Sequence, residues 1–110
     1  MNQEMIWKLR RSLEEWVSEK FIEDMKYFYI KLSQDFNWFN ALNEARQAAL
    51  IELSAFMGYK NLCGLSEMLL AIEDEDFETA ASSIAENLSF LPGWRTARLA
   101  DIMETGSDGT

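Results

Sequence analysis

The chain has 110 residues, 48% of them hydrophobic and 13% aromatic. That is enough for one domain with a modest core and too apolar for a disordered chain. Nineteen acids against ten bases give a net charge of −9, the wrong sign for binding nucleic acid through its phosphates. With no histidine and a single cysteine, histidine catalysis, a zinc site and an internal disulfide are excluded, and neither a metal nor a cofactor is expected.

No apolar stretch follows the charges of Met1–Arg11 as it would in a signal peptide, and no run approaches the ~20 apolar residues of a membrane span. The expectation is a soluble protein without a signal peptide, made in a reducing compartment. The first 57 residues contain neither Gly nor Pro, whereas all five glycines and Pro92 fall from Gly58 onward. Long helices should therefore come first and shorter ones after.

In chain order, Met5, Ile6, Leu9, Leu13, Trp16 and Val17 recur at three- and four-residue spacing and predict a helix over Gln3–Val17. Ser18 is a good cap for a second helix, Glu19 to about Gln34, with Phe21, Ile22, Met25, Phe28, Tyr29 and Leu32 as its buried stripe. Asp35–Leu42 is an aromatic link in which Phe36, Trp38 and Phe39 should plug the core. Asn43 can cap a third helix, Glu44–Met57, with Ala45, Ala49, Leu50, Leu53, Phe56 and Met57 inward and Gly58 as its stop. Tyr59–Gly64 reads as a turn or short helix. Ser66 should cap a helix to about Glu73, and Asp74 or Asp76 another over Phe77–Leu88, with Phe77, Ala80, Ala81, Ile84 and Leu88 on one face. Leu91-Pro92-Gly93 breaks it, Trp94–Glu104 is the last helix, and Thr105–Thr110 forms a disordered tail. No period-two pattern occurs, so the fold class is all-α, with about six helices.

The segment Trp38–Leu53 resembles the central helix of the phage-type lysozymes, the endolysins of glycoside hydrolase family 24. Phe56-Met57-Gly58 stands where that family ends the helix. Leu65–Leu70 and Ala71–Ala81 resemble its next two helices, and Arg95–Leu99 with Met103–Gly106 resembles its final Arg-x-x-Arg helix and Thr-Gly ending. Ser18–Leu32 is similar to the helix that opens the family's second lobe. The resemblance spans about Val17 to Gly106 and implies the family's helical lobe over residues 18–104, preceded by an extra helix over 1–17 in place of the catalytic lobe. The family's Glu-Gly step, its hairpin Asp and its Thr-Ile-Gly run have no counterpart in this sequence, so no catalytic residue carries over. The resemblance also implies a bacteriophage or prophage source, and the cytoplasm of the infected bacterium or the virion as the place of action.

Several residues have both a structural and a functional reading. Cys63 is either a small packed side chain or a reactive thiol, and nothing basic lies near it in sequence. Glu73-Asp74-Glu75-Asp76, with Glu78, is the densest charge cluster, and between Lys60 and Arg95 there are seven acids and no base. These carboxylates suit a helix-helix turn and a helix N-terminus, or else a surface for a basic partner. They lack the spacing of a calcium loop. Arg95 and Arg98 can pair with this run or with Asp101, or border a sugar cleft. Trp7, Trp16, Trp38 and Trp94 are expected mainly in the core, except that Trp7, off its helix's stripe, is expected to be exposed, where with Ile6 it would cover that face or meet a second copy of the chain.

The leading functional expectation is a non-catalytic lysozyme-like module. It would bind a host or virion protein, or peptidoglycan, in a remnant cleft around Phe56, Gly58, Tyr59, Trp94, Arg95 and Arg98. The first alternative is a muramidase-type hydrolase with rebuilt or separately supplied carboxylates. The second is an acidic decoy that inhibits a nucleic-acid-binding host protein. A homodimer through the N-terminal helix fits any of these readings.

Overall fold

A computed structural model describes residues 3–6, 19–88 and 91–107. The fold is all-α: every element among the described residues is helical. The chain divides into two compact units, Met1–Leu62 and Cys63–Thr110.

In the first unit, residues 3–6 are helical, with Met5 and Ile6 buried. The rest of the expected N-terminal helix, with Trp7 and Trp16, and the Ser18 cap lie outside the described residues. Helix α1, Glu19–Asp35, is amphipathic. Met25 and Leu32 are fully buried, and Ile22, Phe28 and Tyr29 are half-buried along the same stripe. That stripe packs against helix α2, Glu44–Met57, and against a 3-10 turn at Phe39–Ala41. Of the three aromatics expected to plug the core, Phe39 does so. It is fully buried, edge-on to Tyr29 with ring centres 5.6 Å apart, and its carbonyl accepts a 3.0 Å hydrogen bond from buried Gln47 Nε2. Phe36 and Trp38 are instead half-buried and pack on each other at 5.0 Å, because the tight turn can send only one of the three side chains inward.

Helix α2 has the expected limits. The Asn43 side chain accepts from Arg46 N–H at 2.9 Å, closing the N-terminus, and Gly58 ends the helix. Its burial is broader than the expected stripe, since Leu50, Ile51, Glu52, Leu53 and Ser54 are all buried in succession. At 100° per residue, five consecutive positions go round the whole helix. The short helix α3, Tyr59–Cys63, follows at once. The Tyr59 hydroxyl donates to Asp35 Oδ2 at 2.7 Å, and its ring stacks on Phe28 at 6.5 Å and 11°. Lys31 lies over the same ring, 5.8 Å from its centre, and reaches Asp35 at 3.7 Å. The start of α3 is thereby tied to α1.

The second unit holds helices α4 (Ser66–Glu73), α5 (Phe77–Asn87) and α6 (Gly93–Thr105), with α5 packed against both neighbours. Ser66 was expected to cap α4, but Leu65 occupies the cap position, with no side-chain bond, and Ser66 is the first helical residue. Ala80, Ala81, Ser83 and Ile84 are buried on α5, and Leu88, expected as its last residue, is buried just past its end; the small residues allow its close packing. Thr96 Oγ1 donates to Leu88 O at 3.1 Å, joining the first turn of α6 to the end of α5. Leu99, Ile102 and Met103 form the buried stripe of α6. The helix runs one residue further than expected, to Thr105, where left-handed Gly106 caps it with a 2.7 Å bond from its N–H to Ile102 O. Residues 108–110 of the expected tail lie outside the described residues.

Two glycines give opposite predictions. Gly58 has φ 87° and ψ 141°, a region open essentially to glycine alone. A Cβ there would meet only Asn61 Nδ2, at an ordinary 3.7 Å, so any cost of substitution is in the backbone. Gly58→Ala should destabilise the protein by about 1–3 kcal/mol in urea unfolding. Gly93 is helical, and a Cβ there would meet nothing within 4 Å. Gly93→Ala should be neutral or stabilise by up to about 1 kcal/mol.

Candidate functional site

The charge divides unevenly between the units. Residues 1–62 carry nine acids and eight bases, whereas residues 63–110 carry ten acids and two bases. The net charges are thus −1 and −8. Of the two bases in the second unit, Arg95 is buried, so almost nothing basic offsets its acidic surface.

Glu73, Asp74, Glu75, Asp76 and Glu78 are all exposed, and the backbone explains how the run turns. Glu75 N–H donates to Ile72 O at 3.0 Å and Asp76 N–H to Ala71 O at 2.8 Å. This pair of bonds is a Schellman closure of α4. Its left-handed position, usually glycine, is held by Glu75 at φ 60°. Asp76 then caps α5, accepting from Thr79 Oγ1 at 2.6 Å and from Thr79 N–H at 3.3 Å. The Thr79 hydroxyl, and secondly its N–H, hold the Asp76 carboxyl below the ordinary aspartate range. A catalytic acid needs the opposite shift. One of the five candidate carboxylates is therefore committed to folding.

At the other candidate residues the structure gives mixed results. Trp94, expected in the core, is 62% exposed. It sits one residue before the buried line Arg95, Leu99 and Ile102, and a rotation of 100° takes its ring out to solvent. Arg95 heads that line instead, only 7% exposed, with its guanidinium 4.6 Å from the centre of the Trp94 ring. The apolar stem can be buried while the cation lies on an aromatic face. Arg98 is half-buried on the same side of α6 as Trp94. In the first unit, Phe56 is half-buried and Gly58 exposed. Tyr59 has its hydroxyl on Asp35 and a ring face on Phe28, so the group nominated for ligand contact serves the fold. Cys63 is half-buried.

Glu52 was not singled out by the sequence reading. Only 1% exposed, it is the one buried carboxylate among the described residues. That burial also places it beyond the reach of a polymeric substrate. The signal was present in the sequence: between Ala48 and Leu53 Glu52 is the only polar residue, so the helix has no polar stripe to turn outward there. Among the described residues, no group of three His, Cys, Asp or Glu side chains is placed to hold a metal ion. No family model, curated protein sequence or solved structure matches this chain.

Two measurements test the acidic turn. Left-handed backbone costs a non-glycine residue about 1 kcal/mol, so Glu75→Gly should range from neutral to about that much more stable in chemical denaturation. A depressed carboxyl pKa contributes stability that is complete above the unfolded value of about 4 and disappears as pH falls through the folded value. Asp76→Asn removes that titration and keeps an acceptor. The variant should melt below the native chain at neutral pH, yet lose less melting temperature than the native chain between about pH 5 and pH 2.5.

Proposed function

We propose that this chain is a non-catalytic, lysozyme-like binding module of bacteriophage origin that acts on a macromolecular partner, either a host or virion protein or peptidoglycan. The order and spacing of the segments between Val17 and Gly106 that resemble the helical lobe of phage-type lysozymes support the kinship. Likeness of fold does not carry activity. No segment of the 110 residues resembles the catalytic lobe, and no catalytic residue is assigned.

The observation that carries the binding reading is the pair Trp94 and Arg95. A large aromatic ring stands in solvent at the first turn of α6, with a guanidinium held against it. Such a ring offers a flat apolar face for a sugar or a protein side chain at little entropic cost, since the ring has few rotatable bonds. A second reading, an acidic decoy against a nucleic-acid-binding host protein, draws on the exposure of Glu73–Asp76 and Glu78. In that case binding should be salt-sensitive and lost when Glu73 to Asp76 are neutralised together.

Sedimentation with insoluble peptidoglycan tests the cell-wall version. The chain should co-pellet, and Trp94→Ala should lower the bound fraction several-fold without altering the far-ultraviolet circular dichroism. Absence of co-pelleting rules out peptidoglycan as the partner. In a dye-release assay on labelled peptidoglycan no release should occur; release abolished by a single Glu→Gln change would contradict the non-catalytic reading.

A further inference from the structure

The three helices of the second unit carry charge against their own dipoles. Glu73 is the last residue of α4, Glu86 lies in the last turn of α5 and Glu104 in the last turn of α6, and no base stands in any of those turns. The C-terminal end of a helix bears a partial negative charge on its last carbonyls, so a carboxylate there is unfavourable where a Lys or Arg would be favourable. All three carboxylates are exposed. The other described acids of the unit, Glu67, Asp74, Glu75, Asp76, Glu78 and Asp101, are exposed as well. The charge is thus spread over every helix of the unit and over the turn, not gathered in one patch.

The core that opposes this repulsion is small. Cys63–Thr110 spans 48 residues, and among the described residues its eleven buried apolar side chains include three alanines and no aromatic ring. A folding unit below about 70 residues has little stability to spare. The unit's net charge is −8, carried on a body about 25 Å across. At about 10 mM salt, charges act over ~30 Å, so every one of them feels every other; at about 300 mM that reach falls to roughly 6 Å.

We propose that Cys63–Thr110 is a salt-gated folding unit. At low ionic strength its own carboxylates favour a sub-global opening in which α4, α5 and α6 lose their shared core together, and added salt closes it. The first unit, with nine acids and eight bases, has almost no net repulsion to screen and stays folded through that opening. Ionic strength thereby sets how often the surfaces bearing Trp94 and the acidic turn are folded, whatever the chain binds.

Native-state hydrogen exchange on the full chain, at neutral pH and in about 10 and 300 mM sodium chloride, tests this. The amides of Ala81 and Ile84 in α5 and of Leu99 and Ile102 in α6 should be protected to a common extent, below that of Leu50 to Leu53 at the lower salt. Their protection should rise about tenfold or more at the higher salt. Glu73→Gln combined with Glu86→Gln removes two charges and two adverse dipole contacts at exposed positions. In that variant the same amides should be protected several-fold better at the lower salt, and their response to salt should shrink. Glu23→Gln, on the exposed side of α1, should leave that response unchanged. Protection in α5 and α6 equal to that of Leu50 to Leu53, a change of less than about twofold with salt, or a full salt response in the double variant overturns the proposal.

Discussion

The first unit is organised by a helix with no solvent face at its middle. Because Leu50 to Ser54 are all buried, α2 cannot place its polar side chains outward, and the interior has to accommodate them. Ser54 Oγ donates to Leu50 O at 2.9 Å and Gln47 Nε2 to Phe39 O at 3.0 Å. The second of these bonds fastens the 3-10 turn, and with it the only aromatic of the link that is fully buried. Both ends of α2 are closed locally, by the Asn43 side chain and by the positive-φ backbone of Gly58. Tyr59, the most suggestive side chain near Gly58, is engaged by Phe28, Lys31 and Asp35.

The second unit follows a different logic. Three shorter helices share a core built around the small residues of α5, and its first connection is so tight that a single acidic run both closes α4 and opens α5. Carboxylates at these positions satisfy backbone donors and favour the helix N-terminus. That accounts for Asp76. The macrodipole likewise favours Glu67 and Glu78, in the first turns of α4 and α5, but it does not account for Glu73, nor for the exposure of Leu70 and Trp94. The functional reading draws on exposed side chains of this more strongly charged unit, while Tyr27 and Ile30 are exposed on α1 of the first.

Where local chemistry sets an element's limits, those limits were legible in the sequence. Asn43 and Gly58 bracket α2, and Asp76, one of two caps the sequence allowed beside Asp74, opens α5, because a cap or a positive φ depends on neighbours in the chain. Features set by packing were not legible. Ser66 is a fine cap by composition, yet the chain enters α4 one residue earlier. Glu75 carries no sign of its left-handed backbone, since the sequence offers no glycine there and the Schellman bonds impose the conformation. The face of α6 turned inward depends on its fit against α5, and a shift of one residue in phase exchanged Trp94 for Arg95 at the head of the buried line. Fold class was readable from periodicity alone. The candidate site was readable only as a list of residue types, because exposure separates a docking side chain from a core one.

The central physical claim is that the middle of α2 is buried on every side, and native-state hydrogen exchange addresses it most directly. The amides of Leu50 to Leu53 should open only in global unfolding, with protection free energies equal to the unfolding free energy from denaturant titration. Amides on the exposed side of α1, such as those of Tyr27 and Ile30, should exchange through smaller openings. Protection across Leu50 to Leu53 well below the global value, or no greater than on that side of α1, would contradict the account.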